Sequence, residues 1–354
     1  MIKAIINLKI VHKNLRKLKK ILLPQVKVCA VVKANAYSLG DVSIAREIES
    51  EVDSFAVAHI KEAVRLRDGG IKKAILMLGV CTDCKTAIDR NITISIQSVQ
   101  EFRALCKALL GQQPAKCRIH IKVNTGMNRY GLTNIWQLKS ILTAAEKNPG
   151  IQVEGLYTHL AHEADNPDEI DLQLKKFAPF KSIMRARFPR AIIHAASSGS
   201  SGYLPAQFDM VRVGKLMYGG LDGYHTAVKI ISKICAVQNL TSGARVGYAG
   251  TATTTRPTVC GIVPCGYADL AHINYGNKYS VLVDGVRCKV LGRVCMDSFA
   301  IDVTGIKSPI GKTVTLVGDQ KGLRLMDICR ETDTIACNLL CSLHFNRAEV
   351  TYKA

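Results

Sequence analysis

Short β-branched apolar runs alternate with helical patterns through the first two-thirds of the chain. The strand-like runs lie at 26–32, 54–58, 74–78, 92–96, 118–123, 153–159, 192–198 and 208–214. Between them apolar residues recur at helical spacing, as over 135–145 and 168–184. Ser98 followed by Glu101 adds a capping box that opens another helix. Eight strands separated by helices over roughly 200 residues predict an α/β fold, a (β/α)8 TIM barrel. A doubly wound sheet shows the same alternation, and counting elements does not separate the two.

After about Leu221 the texture changes. Short strands with turn signals are expected at 258–264, 279–291, 298–303 and 312–317, the second folded about Asp284-Gly285. Asp-Gly between alternating apolar residues is a strong hairpin signal. The C-terminal third therefore reads as a mainly-β domain, with one or two short helices over 325–341. The pattern divides the chain into a barrel at 9–221 and a β domain at 222–354.

Composition narrows the class. Of 354 residues, 48% are hydrophobic and 21% charged, which excludes a disordered chain. No apolar run approaches the ~20 residues of a membrane-spanning helix, and no signal-peptide core opens the chain, so a cytoplasmic protein is expected. The net charge of +20 invites a nucleic-acid or membrane reading. Its densest segment is KNLRKLKK at 13–20, an amphipathic helix by pattern. The other cations are scattered without interleaved aromatics, and no nucleic-acid-binding motif is present, so no nucleic-acid partner is expected. Weak attraction to an anionic membrane surface stays open. Thirteen cysteines, an odd number, suggest reduced thiols, with Cys29, Cys260 and Cys265 in apolar runs. Cys81 and Cys84 form a C-x-x-C with no second ligand pair, so no metal is expected.

In a barrel enzyme the reactive groups collect at the C-terminal ends of the strands. Those ends carry Lys33, Lys122, Arg129, His159, Ser197, Ser198, Arg212 and Gly214. A cationic, hydroxyl-rich rim suits a phosphorylated cofactor and a carboxylate substrate. Lys33 follows the apolar run VCAVV, surroundings that disfavour an ammonium and help imine chemistry.

The segment AVVKANAYSLG at 30–40 closely resembles the pyridoxal-phosphate signature AVVKANAYGHG of alanine racemases. HIKVNTGMNRYGL (120–132), GLYTHLA (155–161), FDMVRVGKLMYGG (208–220), GYAGT (247–251), CGYAD (265–269) and GRVCMD (292–297) match that family in the same order. The resemblance spans essentially the whole chain. It implies a fold-type III enzyme: a barrel, a C-terminal β domain that the N-terminal strand 1–8 joins, and a homodimer with shared active sites.

Carried over by residue, it implies that Lys33 holds pyridoxal 5'-phosphate and is one catalytic base. Tyr248 would be the other base, reaching the opposite face of the substrate Cα from the partner subunit; two opposed bases are what racemisation needs. A phenol needs help to act as a base, and the family's hydrogen-bond chain would supply it through His159, Arg212 and His194. Arg212 would face the pyridine nitrogen and, keeping its proton, leave that nitrogen unprotonated. Tyr37, Ser198 and backbone N–H groups near Gly214 and Lys215 would hold the phosphate. Arg129, with the backbone at Met296, would bind the substrate carboxylate. Lys122 matches a lysine often carbamylated in the family. Tyr267, Arg293 and Asp297 match its access corridor.

The chain departs from the family at several points. Ser38-Leu39 replaces Gly-His, Asn124 stands where aspartate is frequent, and Ser197 where asparagine is frequent. CSLHFNR at 341–347, aligned through Arg347, places Asn346 at a pocket position that is tyrosine in some alanine racemases; aligned from Cys341 it places Phe345 there. The asparagine arrangement resembles the serine racemases of vancomycin resistance. The expected activity is interconversion of L- and D-alanine, for peptidoglycan precursors, with serine as an alternative substrate. A barrel-type decarboxylase is the rival enzyme class, and Tyr248 within GYAGT argues against it. A non-catalytic cofactor carrier would lack the β domain that holds Tyr248, Cys295 and Met296.

Overall fold

The computed structural model describes residues 2–109 and 116–353. The chain forms two units, Leu15–Gly214 and Met1–Asn14 with Lys215–Ala354.

In the first unit eight parallel strands close on themselves. They are β2 (Lys27–Val31), β3 (Ser54–Val57), β4 (Ala74–Met77), β5 (Thr93–Ile96), β6 (Cys117–Lys122), β7 (Ile151–Tyr157), β8 (Ile192–His194) and β9 (Met210–Val213), after β1 (Lys3–Asn7) of the other unit. β9 pairs with β2, so the ring has no edge, which a doubly wound sheet would have. Such strands are covered on both faces, which is why they read as near-continuous apolar runs. Cys29, Val31, Ala56, Leu76 and Met210 pack together in the core. β8 is shorter than the run 192–198 suggests. Beyond His194 the Ala195 carbonyl accepts from the Arg212 guanidinium and the Ala196 carbonyl from the Arg212 N–H. Ser98 caps helix Val99–Ala108 as expected, but the Glu101 carboxylate reaches past it to the Gln97 N–H (2.9 Å).

The basic segment lies on helix Leu8–Lys19, whose apolar stripe of Leu8, Val11, Leu15 and Leu18 is buried. No apolar face of this helix is left to enter a bilayer; its exposed lysines and Arg16 are all that could meet an anionic surface. Among the described residues no helix is long and apolar enough to cross a membrane. No disulfide joins any of the thirteen cysteines.

The second unit is mainly β. Its strands are β10 (Val228–Lys233), β11 (Ala236–Leu240), β12 (Arg245–Val246), β13 (Ala252–Thr253), β14 (Thr258–Val263), β15 (Ser280–Val283), β16 (Val286–Leu291), β17 (Phe299–Asp302), β18 (Thr313–Val317) and β19 (Glu349–Lys353). A nine-stranded sheet runs β11-β14-β17-β16-β15-β18-β10-β1-β19, with β1 antiparallel to β10 and parallel to β19. The β15–β16 turn carries positive φ at both Asp284 (46°) and Gly285 (86°), as an Asp-Gly hairpin turn requires. Two short helices, Leu325–Thr332 and Ala336–Cys341, occupy the expected stretch.

Candidate active site

Lys33 leaves the end of β2 and enters a left-handed turn. Ala34, Asn35, Ala36, Tyr37 and Ser38 all have φ between 51° and 71°. For residues with a Cβ this conformation costs about 1–2 kcal/mol each, so other contacts must hold it. The Glu62 carboxylate accepts from the Ala34 N–H (2.7 Å) and, through its other oxygen, from the Ala58 N–H (2.7 Å). The Asn35 carboxamide accepts from the Asp41 N–H (3.0 Å). Asp41 is buried and paired with Arg65. The turn is thus pinned at two points, Ala34 and Asn35, whose partners Glu62 and Asp41 are themselves held by Ala58 and Arg65, and it brings Tyr37 up to Gly214. A Cβ on residue 214 would lie 2.5 Å from the Tyr37 Oη, so only glycine admits the phenol there. Ser198, also buried, accepts from the Gly214 N–H through its Oγ (3.0 Å). A phenol, a hydroxyl and a glycine backbone therefore crowd one corner of the rim, and the chain continues into the turn Lys215–Tyr218 of the other unit.

The rest of this rim is cationic. Lys122, only 7% exposed, ends β6 with its ammonium over the rings of Tyr130 (5.3 Å) and Tyr157 (5.7 Å). Burial, then the charges of Arg129, Arg212 and Lys33, push its pKa down to about 8. His159 is lowered to about 3 by burial and by Arg212, Arg129, Lys122 and Lys33, so its imidazole is neutral. Arg129 is exposed on the loop after β6. Asn124 shapes that loop by accepting from the N–H groups of Gly126 (3.1 Å) and Asn128 (3.0 Å).

Arg212 is buried and ringed by acceptors. Its Nη2 donates to the carbonyls of Thr158 (2.9 Å) and Ala195 (3.0 Å) and to His159 Nδ1 (3.3 Å). Its Nη1 donates to His194 Nδ1 (2.7 Å), and its guanidinium lies 5.1 Å over the Tyr157 ring, which stacks on His194. Burial holds His194 well below its ordinary pKa, with Arg212 and His120 adding to the shift.

The other candidates belong to the β unit. Tyr248 is 70% exposed in a turn between Gly247 and Ala249, both at positive φ. A Cβ on Gly266 would fall 1.9 Å from the Met296 carbonyl, so the GYAD and CMD segments meet backbone to backbone. There the N–H groups of Tyr267 and Ala268 donate to Cys295 O (3.0 Å) and Met296 O (3.1 Å). Arg347 joins the same segments by donating to Asp269 (2.7 Å) and Asp297 (2.8 Å). That leaves Asn346 exposed beside them, with Tyr267, Arg293 and Met296 also exposed.

A family model described as alanine racemase, N-terminal domain, matches residues 6–222, and one described as alanine racemase, C-terminal domain, matches residues 227–352. The chain belongs to the alanine racemase family. It is an isomerase of the amino-acid racemase class. An alanine racemase of Streptococcus pyogenes serotype M6 is 34% identical over 356 residues, 96% of this chain and 95% of that protein. The alanine racemase of Geobacillus stearothermophilus is 31% identical over 365 residues, 99% and 93% of the two chains. The solved structure of an alanine racemase from Streptomyces coelicolor A3(2) superposes with a TM-score of 0.91 at 26% identity, covering 99% of this chain and 97% of that one.

Motif reading of the alanine racemase blocks passed over Glu62, His120, Glu154 and Tyr157. The alternation in β6 was the available signal: Arg118, His120 and Lys122 share one face of that strand.

Proposed function

We propose that the chain interconverts L- and D-alanine with pyridoxal 5'-phosphate as cofactor and works as a homodimer. The reading is carried by one rim on which Lys33, the buried Arg212 and the Tyr37–Ser198–Gly214 corner occur together, in a chain of this family. The corner fits a phosphate: glycine at 214 lets the Tyr37 phenol close on its backbone, so the Tyr37 and Ser198 hydroxyls are gathered beside that glycine. Lys33 would hold the cofactor, and Lys215 would add its backbone N–H. When bound, the cofactor supplies the electron-withdrawing ring that acidifies the substrate α-proton.

The residues divide the remaining work. Arg212 would face the cofactor's ring nitrogen as a donor and, keeping its own proton, would leave that nitrogen unprotonated and restrain side reactions. Arg129 binds the substrate carboxylate, with the backbone at Met296 of the partner subunit. The Lys33 amine serves one face of the Cα and Tyr248 of the partner subunit the other. His159, neutral at working pH, passes hydrogen bonding from Arg212 towards that phenol, with His194 behind. In this reading the barrel at 9–221 holds the cofactor, while the β domain at 222–354 with strand 1–8 completes the partner's site past Tyr267, Arg293 and Asp297. Supply of D-alanine to cell-wall precursors in the cytoplasm is the role that follows.

Lys122 is read as carbamylated. Its pKa of about 8 leaves a reactive neutral fraction near neutral pH, and only the neutral amine takes up CO2, forming the carbamate and releasing one proton. The new anion would sit among Arg129, Arg212 and Lys33. NMR in isotope-labelled bicarbonate should show one carbamate resonance, growing as pH rises towards about 8 and missing in Lys122→Gln. A spectrum without it, or one that keeps it in the variant, overturns the assignment.

The test of the whole reading is kcat/KM for L-alanine and L-serine side by side, repeated with Asn346→Tyr. Alanine should lead. An added tyrosine should raise the ratio further by filling space beside the substrate methyl, within the ~10–200-fold that one pocket contact supplies. A serine preference in the parent chain would reassign the substrate, and a ratio unmoved by Asn346→Tyr would remove Asn346 from the pocket.

A further inference from the structure

A line of side chains runs from Arg212 through the barrel, away from the rim. His194 Nε2 lies 2.8 Å from His120 Nδ1, and His120 Nε2 lies 3.4 Å from Glu154 Oε2. Thr93 Oγ1 donates to the same Glu154 oxygen (3.2 Å), and Arg118 stands 3.8 Å from the other. The line ends at a cavity of about 200 Å³ lined by Lys27, Asp53, Ser54, Thr93, His120 and Glu154, among other residues. That is room for several waters.

Donor and acceptor counting gives the line a direction. A guanidinium can only donate, so His194 Nδ1 accepts from Arg212 and carries no proton. Neutral His194 therefore bears its proton on Nε2 and donates to His120 Nδ1. His120 in turn bears its proton on Nε2, where an ionised carboxylate can only accept. Cation and anion thus stand at opposite ends of two imidazoles that point the same way. Burial pushes the Glu154 pKa up, but the hydrogen bond from His120, the charge of Arg118 and the hydrogen bond from Thr93 outweigh it and leave the carboxyl below its ordinary value. Each acceptor in contact with Arg212 is neutral, so the column joins the buried guanidinium to an anion it does not touch. The chain also makes room for the column. A Cβ on Gly155, the residue after Glu154, would lie 2.6 Å from His120 Nδ1, the atom His194 needs.

We propose that Glu154 is a positioning residue for racemisation, anchoring through His120 and His194 a one-way column that aims and restrains the Arg212 guanidinium. This rests on the reading of Arg212 as the group that meets the cofactor ring. Hydrogen bonds in series polarise one another, so loss of the terminal anion weakens every bond up to Arg212.

Glu154→Gln keeps the shape and removes the charge. Histidine-labelled protein, with and without pyridoxal phosphate, should show protonated Nε2 and bare Nδ1 on both His120 and His194. The His194 Nε2–H resonance should move upfield in the variant although Glu154 does not touch that ring. In the holoenzyme kcat for alanine should fall roughly tenfold, the low end for removing an outer partner of an orienting histidine, with KM unchanged. Glu154→Asp keeps the anion on a shorter arm and should recover part of both effects. Protonated Nδ1 on either ring of the parent protein, an unmoved His194 resonance, or an unchanged kcat in Glu154→Gln overturns the proposal. If the parent chain fails to racemise alanine, the functional reading falls, while the His194 resonance of the cofactor-free protein still decides whether the column exists.

Discussion

Lys33→Ala is expected to abolish racemisation, by at least ~10⁴-fold on the scale of removing a covalent catalytic group, and to remove the visible absorbance of the bound cofactor. Two lysines on the rim compete for this role, and their surroundings differ. Lys122 is buried at the end of β6, its ammonium over two tyrosine rings. Lys33 is half-buried and begins the left-handed turn that ends at Tyr37, beside Gly214 and Ser198. A cofactor held covalently at one end and by its phosphate at the other needs an amine a fixed short distance from an anion site, and the turn supplies that constancy. Absorbance lost in Lys33→Ala but retained in Lys122→Gln is therefore the expected pattern. If the reverse is found, the covalent link moves to Lys122, and the cradle built by the turn loses its meaning.

How much of this could be read in advance differs by level. The alternating strands and helices were legible because parallel strands buried on both faces carry a pattern that survives without partners, whereas the pairing of β9 with β2 is what makes them a barrel and not a doubly wound sheet. The rim followed, since strand ends are where barrel chemistry sits. The turn after Lys33 left no propensity signal: Ala34, Asn35 and Ala36 do not favour positive φ together, and the contact from Glu62 comes from 28 residues away. The Arg212 column was hidden for a related reason. His120 and Glu154 sit at alternate positions in β6 and β7 among other polar residues, so nothing in either strand singles them out as partners, and only the closure of the ring brings β6, β7, β8 and β9 round one interior. In the β unit β11 went unread because its residues are half-buried or exposed, AVQNL giving no alternation. β19 went unread because it pairs with β1 from the opposite end of the chain.

Tyr248→Phe is expected to lower kcat for alanine by about 10³-fold, within the range for removing a general acid–base. Mirror-image substrates have an equilibrium constant of unity, so kcat/KM must fall equally in both directions. The asymmetry lies in proton exchange instead. If Tyr248 serves the L face and Lys33 the D face, the variant should still exchange the α-proton of D-alanine with solvent without inverting it. Exchange from L-alanine should be lost. Equal exchange from both enantiomers would remove Tyr248 from the proton path. The same variant tests where the phenol acts. Tyr248 is 70% exposed, and Met296 (53%) and Tyr267 (39%) are also exposed in the same unit, a concentration of apolar surface suited to a second subunit. Mixing Lys33→Ala chains with Tyr248→Phe chains, each inactive alone, forms heterodimers in which one site is intact and the other has lost both groups. After random exchange half the dimers are mixed and each holds one good site, so about a quarter of the parent activity should return. If each chain supplied both groups to its own site, every site in the mixture would lack one of them and no activity could reappear. Recovery therefore distinguishes a site shared between subunits from one built within a single chain.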